Sequence, residues 1–377
     1  MKIAIIGPFP PYRGGIAHFN TLLYDTLAGS HEVSAVNLRR QYPGFLFPGT
    51  SQYNDDEPAA PPYDTRLLDP LSPPSWYRTA RHLAAEEIEL AIYKYWMPFF
   101  APALGSIARH LRRKTAAKTV CIIDNLTPHE HRPGDRALNR YLVRHTDAFI
   151  CMSDTVKEDL LQLNPDASYK RAPHPPYVNF GQPVGRQEAR KALGLGDGPV
   201  MLYFGFIRAY KGVHTLLDAL PLVRDRLATT AIIAGEFYED KRPYLEKIDR
   251  LELGEQLILA DRFIPDEEVN LYFSAADVVV LPYRSATQSG IVSIAQHYEV
   301  PCIVTDVGGL PDMVTHGKTG LVVPPDDPRA LADAIIDYFA GSYRTSMAER
   351  IAIEKDRYGW DSFAEAILQL ATTGRAK

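Results

Sequence analysis

The sequence predicts an α/β protein made of two doubly wound, parallel-sheet domains, and three observations carry that prediction. Short apolar runs rich in β-branched residues recur along the whole chain with helical patterns between them, the pattern of parallel strands covered by helices on both faces. The runs fall into two sets. Between the sets, residues 172–185 read Ala-Pro-His-Pro-Pro-Tyr-Val-Asn-Phe-Gly-Gln-Pro-Val-Gly, where four prolines and two glycines exclude helix and central strand alike. A chain of 377 residues is also long enough for two domains, each burying its own core.

In chain order the first set of strands is expected at Ile3–Ile6, Val33–Val36, Leu90–Tyr93, Thr119–Ile123 and Ala148–Met152. The second is expected at Val200–Phe204, Ala231–Ala234, Leu257–Leu259, Asp277–Leu281, Cys302–Thr305 and Leu321–Val323. This places an N-terminal domain at residues 1–178 and a C-terminal domain at 179–357. Doubly wound sheets bind ligands beyond the carboxyl ends of their strands, so two Rossmann-like halves facing across a cleft are expected. Residues 42–65, with Tyr42-Pro43-Gly44, Phe47-Pro48-Gly49 and Pro61-Pro62, form a long irregular insertion of the kind that is functional or mobile.

Composition narrows the class. Hydrophobic residues make up 46% and charged residues 23%, with a formal net charge of -5. That balance is globular and argues against nucleic acid as a partner. Cys121, Cys151 and Cys302 each sit in an apolar strand-like run without metal-ligand spacing, and read as core thiols in a reducing compartment. The first strand is too short for a signal-peptide core, and no stretch reaches the eighteen or so apolar residues of a membrane span. The expected location is the cytoplasm, or the inner face of the membrane as a peripheral protein.

The chemistry is expected at strand ends. Residues 203–218 read as a strand that stops at Gly205 and a helix that starts near Lys211, with Arg208 and Lys211 on the turn between them. A helix N-terminus offers free N–H groups and a positive dipole end, so two added cations make a site for a polyanion such as a diphosphate. Residues 281–292 repeat the theme of strand, small-residue turn and helix start: Thr287 or Ser289 can cap the helix, and N–H groups near Gly290 point at an anion. Together with Gln288 these residues make the second arm of a diphosphate clamp. Gly308-Gly309 is another glycine pair at a strand end.

In the first domain, Gly14-Gly15 lies at the mouth of the first helix and lets the backbone approach a phosphate or sugar. It is not a dinucleotide loop, because Gly7 is followed by three prolines in four residues rather than by the G-x-G-x-x-G spacing. Residues 124–135, Asp-Asn-Leu-Thr-Pro-His-Glu-His-Arg-Pro-Gly-Asp, follow a strand and make His129 and Glu130 candidate site residues. No metal site is expected: Asp55-Asp56 and Asp326-Asp327 read as turn and cap residues.

Taken together, the chain resembles the retaining glycosyltransferases of GT-B fold, family 4, from end to end. The matching pieces are Gly14-Gly15, Thr127-Pro128-His129-Glu130, the run Gly205 to Gly212, Thr287-Gln288-Ser289-Gly290, the run Pro301 to Asp312, and Gly317 to Pro325. Each piece alone is modest, and their joint order and spacing are highly specific. The resemblance implies that Arg208 and Lys211 hold the diphosphate of a nucleotide-sugar donor, that His129 sits near donor sugar and acceptor, and that Arg262, Phe263 and Ile264 border the nucleobase. It implies sugar transfer to the hydroxyl of a saccharide or lipid-linked acceptor, in glycolipid or cell-surface polysaccharide synthesis, with no cofactor and no metal. It also implies that a last helix, in residues 358–377, crosses back onto the N-terminal half.

One departure stands out. Many members carry two glutamates eight residues apart, the second gripping the ribose hydroxyls; here Thr287 replaces the first, and the second falls near Ala295 or Gln296. Gln296, or alternatively Glu299, is then the candidate ribose contact. The missing pair is the best argument for a different reading, a non-catalytic scaffold on the same fold; a two-Rossmann epimerase or phosphorylase is the other alternative. On the acceptor side, Tyr93 to Phe100 brings five aromatics near the expected cleft, as a stacking surface or as core. Arg109, Arg112, Arg113, Lys114 and Lys118 suit either an anionic membrane surface or a solvated helix face.

Overall fold

The computed structural model describes residues 1–42, 51–53, 60–127, 133–341, 343–355 and 359–372. The chain divides into two compact units, Met1–Pro175 with Tyr358–Lys377, and Pro176–Arg357.

The first unit holds a seven-stranded, wholly parallel sheet. Its strands are β1 (Lys2–Ile6), β2 (Glu32–Leu38), β3 (Arg66–Leu68), β4 (Leu90–Tyr95), β5 (Lys118–Ile123), β6 (Ala148–Cys151) and β7 (Tyr169–Arg171), in the order β3-β2-β1-β4-β5-β6-β7. Helices α1 (Gly15–Ala28), α2 (Pro73–Ala85), α3 (Ala101–Lys114), α4 (Asp135–His145) and α5 (Asp154–Leu163) cover it. The two short edge strands β3 and β7 were not legible as apolar runs. Each is three residues long and carries a cation, as suits a protected sheet edge.

The second unit repeats the plan with six parallel strands. They are β8 (Val200–Phe204), β9 (Thr230–Ala234), β10 (Leu257–Ala260), β11 (Val278–Leu281), β12 (Cys302–Thr305) and β13 (Gly320–Val323), in the order β10-β9-β8-β11-β12-β13. Its helices are α6 (Arg186–Ala192), α7 (Val213–Arg224), α8 (Arg242–Arg250), α9 (Asp266–Ala275), α10 (Gly290–His297), α11 (Leu310–Met313), α12 (Pro328–Ala340) and α13 (Arg344–Lys355). Asp327 caps α12 by accepting from the N–H groups of Arg329 and Ala330. The proline-rich segment after Pro175 packs into this unit, where the Tyr298 hydroxyl donates to the Phe180 carbonyl at 2.6 Å.

The last helix, α14 (Trp360–Thr372), belongs to the first unit and lies against α1 and strands β5 to β7. Trp360 and Phe363 meet Phe19 edge-on, with centroids 4.9 and 5.5 Å apart, and Phe363, Ile367 and Leu370 are buried. Residues 363, 367 and 370 recur at helical spacing, and the helix packs by that side.

The described parts of the insertion are tied down. The Tyr42 N–H donates to the Gln52 side-chain carbonyl at 3.0 Å, the Arg13 N–H donates to the Gln52 backbone carbonyl at 3.1 Å, and the Asn37 amide bridges the Pro10 and Tyr63 carbonyls. The remainder, residues 43–50 and 54–59 with Asp55-Asp56, lies outside the described residues.

Candidate active site

In the second unit the sheet order reverses between β8 and β11, because β8 leads by way of α7 to β9 on one side and β11 leads by way of α10 to β12 on the other. A crevice opens at such a switch point beyond the carboxyl ends of the strands. The two loops at that point are residues 205–212 and 282–289, which include five of the residues expected to hold a diphosphate, Arg208, Lys211, Thr287, Gln288 and Ser289.

Backbone contact stitches these loops together. The Arg284 N–H donates to the Tyr210 carbonyl at 2.7 Å. Gly212, with φ 67°, comes so close to the Pro282 carbonyl oxygen that a Cβ would stand 1.8 Å from it. Any side chain there would both strain the backbone and drive the loops apart. Gly308, at φ 51°, plays the same part on the other flank, where a Cβ would meet the Ala286 carbonyl oxygen at 1.5 Å. The glycine pair after β12 thus seats the loop that carries Thr287 to Ser289.

The cations sit inside this frame. Arg208 precedes a single 3-10 turn, Ala209–Lys211, and α7 begins only at Val213, two residues beyond the expected helix start at Lys211, because Gly212 must turn left-handed first. The Ala209 N–H is held by the Glu239 carboxylate at 2.8 Å. The Arg208 guanidinium lies 5.3 Å from the Tyr238 ring centroid, and Tyr238 in turn stacks on Phe206 at 4.1 Å. Lys211 Nζ lies 5.4 Å from the Tyr283 ring centroid. Among the described residues neither cation is paired with a carboxylate. Burial, and then the Arg208 charge, push the Lys211 ammonium down to about 8. Two like charges held together without a counter-ion in a half-buried crevice are a standing demand for an external anion.

The second loop carries the other candidates. Ser289 is buried and caps α10, its hydroxyl accepting from the Ile291 N–H at 3.3 Å, with Gly290 the first helical residue. Thr287 and Gln288 are half-buried on the same loop. The helix therefore presents its N-terminal end beside the two cations.

Other candidates land differently. Arg262 is exposed and already forms a two-pronged ion pair with Glu268, while Ile264 is buried at 5% exposure; of the expected nucleobase border, Phe263 alone is half-exposed. Gln296 donates its amide to the Met313 carbonyl at 3.0 Å, an anchor for the end of α11. Glu299 lies past the carboxyl end of α10 at φ 56° and pairs with Lys355 at 2.6 Å. Its carboxylate is occupied and stands at the wrong end of the helix for a ribose beside Gly290.

In the first unit, Gly14 precedes α1 at φ 105° with open space where a Cβ would stand, and Gly15 begins the helix. Residues 128–132, including His129 and Glu130, lie outside the described residues. Of the aromatic run, Tyr93, Tyr95 and Phe100 are core, and Trp96 and Phe99 are half-buried; Trp96 donates to the Tyr42 hydroxyl at 2.7 Å. Sequence reasoning missed Tyr238 and Phe206, whose stack supports Arg208. No local pattern joins residues on two different strand ends. Among the described residues no group of three or more His, Cys, Asp or Glu side chains is placed to hold a metal ion, and no helix is long and apolar enough to cross a membrane.

Two doubly wound parallel sheets are the GT-B architecture, and the likeness to glycosyltransferases along most of the chain makes this protein a glycosyltransferase, which transfers a sugar from a nucleotide-sugar donor. The family model of the glycosyl transferases group 1 matches residues 198–340, the stretch that carries both loops. It is 28% identical over 375 residues to the GDP-mannose-dependent alpha-(1-6)-phosphatidylinositol monomannoside mannosyltransferase of Mycolicibacterium smegmatis, covering 91% of this chain and 90% of that one. It is 31% identical over 278 residues to a D-inositol 3-phosphate glycosyltransferase of Streptomyces scabiei, covering 68% and 60%. The sucrose-phosphate synthase of Thermosynechococcus elongatus has the same fold, with a TM-score of 0.74 over 98% of each chain at 20% identity.

Proposed function

We propose that this enzyme is a retaining, metal-independent hexosyltransferase, moving a sugar from a nucleotide diphosphate sugar to the hydroxyl of a saccharide or lipid-linked acceptor in cell-envelope synthesis. The single observation that carries the reading is the pair Arg208 and Lys211, converging without a carboxylate at the switch point. Breaking the bond between the anomeric carbon and the diphosphate oxygen leaves negative charge on the leaving group. Fixed cations and an aligned helix end stabilise that charge where it develops. With two cations so placed, no metal is needed for neutralisation.

In the retaining course the acceptor hydroxyl attacks from the face the diphosphate leaves. The new carbon–oxygen bond forms as the old one breaks, and the hydroxyl proton passes to the departing phosphate oxygen. No paired carboxylates are called for, unlike glycoside hydrolysis. Arg208 and Lys211 grip the diphosphate, the Thr287 to Gly290 loop faces it, and Gly205 gives the backbone room to pass. His129 and Glu130 are assigned to the sugar and acceptor side, and Gly14-Gly15 to close approach of donor or acceptor. The phosphatidylinositol mannoside acceptor named for the mycobacterial relative favours a lipid-linked acceptor here, with the enzyme acting as a peripheral protein on a membrane.

The test is direct. Thermal stabilisation by UDP-, GDP- and ADP-sugars identifies the donor, and NMR of the product gives the anomeric configuration. An inverted product rules out the retaining course. Activity that vanishes on chelation and returns with manganese or magnesium rules out metal independence.

A further inference from the structure

Helices α3 and α4 of the first unit frame a groove of about 480 Å³ that has no part in the donor site. It is lined by Arg109 and Arg113 from α3, and by Arg140, Tyr141, Arg144 and His145 from α4. The register follows from packing: Gly105 lets the Tyr141 ring sit flush on α3, where a Cβ would stand 2.8 Å from it, and the Tyr141 hydroxyl meets Ser106 at 3.0 Å. Residues 137, 140, 141 and 144 then share one helical face.

The charge is one-sided. Helix α3 contains no acid, α4 contains only Asp135 at its far end, and α2, which packs on α3, also contains none. None of Arg109, Arg113, Arg140 and Arg144 pairs with a carboxylate among the described residues, and all four are exposed. This happens in a chain of net charge -5, so the cations are concentrated here against the overall balance. Part of the effect is ordinary: cations at helix carboxyl ends answer the dipole. Arg109 and Arg140 stand further back than the last turn, and the dipole does not account for their convergence. The field is felt locally, since burial followed by Arg109 and Arg144 holds the His145 imidazole below its usual range.

We propose that this groove binds the phosphate groups of anionic lipids, seating the N-terminal unit on a bilayer. The inference rests on the peripheral-membrane reading above and gives it an address. Guanidinium forks match phosphate oxygens two at a time, and four of them around one groove recognise a cluster of phosphodiesters. On the neighbouring helix, Tyr77 of α2 is 56% exposed with its ring against His110 of α3, which supplies an aromatic contact for the headgroup layer. Nucleic acid fits less well, because the Tyr141 ring is packed against Gly105 and the His145 ring stands edge-on to it at 4.8 Å, so the two rings contact each other in place of a base.

The experiment is vesicle co-sedimentation of the full chain, with phosphatidylcholine alone and with phosphatidylcholine containing a third phosphatidylglycerol. The wild type is expected to bind the anionic vesicles alone, and Arg109→Gln/Arg113→Gln and Arg140→Gln/Arg144→Gln are each expected to weaken binding by roughly tenfold to a hundredfold. Arg→Lys versions of the same pairs should lose less. Nucleotide-induced thermal stabilisation, which reads the other unit, should be unchanged in every variant and so reports both folding and the donor site. Unchanged vesicle binding by both Gln pairs overturns the groove. Stabilisation of the wild type by inorganic phosphate without vesicle binding, or binding of a single-stranded oligonucleotide in place of vesicles, overturns the lipid assignment. Loss of nucleotide stabilisation in the wild type would instead strike at the proposed transfer activity.

Discussion

Each unit places a lysine near the switch point of its sheet, and the two lysines are treated in opposite ways. Lys94, at the end of β4, is 2% exposed and reaches Asp124 at 2.8 Å, with its ammonium 3.3 Å from the Phe19 ring centroid. Lys211, after β8, is half-buried beside Arg208, with no carboxylate. Burial lowers both ammonium groups; Asp124 then opposes the shift at Lys94, while Arg208 deepens it at Lys211. A lysine that carries its own counter-ion serves the fold. One that is denied a counter-ion carries a cost to stability, which on the function proposed above a bound diphosphate would relieve.

The largest effect expected from breaking this contrast lies in the structural pair. Asp124→Ala leaves a buried charge unpaired and should destabilise the first unit by about 3–5 kcal/mol, read by chemical denaturation. An unchanged midpoint would mean that Lys94 is held by something other than Asp124. Next come the cations of the proposed diphosphate site. Arg208→Ala and Lys211→Ala should each cut turnover by on the order of a hundredfold, close to 3 kcal/mol of leaving-group stabilisation, with folding hardly altered. Wild-type turnover in a folded variant would remove that residue from the diphosphate site.

Taken per pH unit, smaller effects come from titration. His174, buried between Phe19 and the Pro175 carbonyl, is held down to about 3 by burial and then by the Lys94 charge. Its folded value lies below the unfolded 6.5, so its contribution is complete above pH 6.5 and is lost as the pH falls towards 3. The loss should be about 1.4 kcal/mol per pH unit, and absent in His174→Phe, as measured by denaturation across that window. For Lys211 the sign applies to binding: the diphosphate prefers the charged form, so donor affinity should be flat below pH 8 and weaken by up to tenfold per unit above it. Calorimetry from pH 7.5 to 9.5 tests this, and a slope that survives in Lys211→Met would assign it elsewhere. The smallest effect concerns Gln296. If its amide also serves the ribose, Gln296→Ala should weaken nucleotide binding by about 1 kcal/mol, whereas a role confined to the Met313 carbonyl would lower stability and leave affinity alone.

Much of this protein is decided within short stretches of chain. Eleven of the strands are apolar runs bounded by turn residues, such as Val200–Phe204 before Gly205, and strand spacing with helices between them leaves a parallel doubly wound sheet as the one way to bury both faces. The identities of Arg208, Lys211 and Ser289 are legible for the same reason: each sits where a strand gives way to a helix, and that junction is local. What the tertiary structure alone decided are relations across the sequence. That Lys211 lacks a carboxylate while Lys94 has one depends on which strand ends are neighbours, as does the placing of Tyr238 beside Arg208. The joining of Arg109 and Arg113 with Arg140 and Arg144 depends on α3 meeting α4 at Gly105. Edge strands β3 and β7 belong to this group too, since three residues gain strand geometry only from the neighbour they pair with. Local pattern fixes which elements form, because backbone hydrogen bonding and side-chain period act over a few residues. Charge pairing and desolvation act through space, and only the folded arrangement settles which charges are compensated and which are left for a ligand.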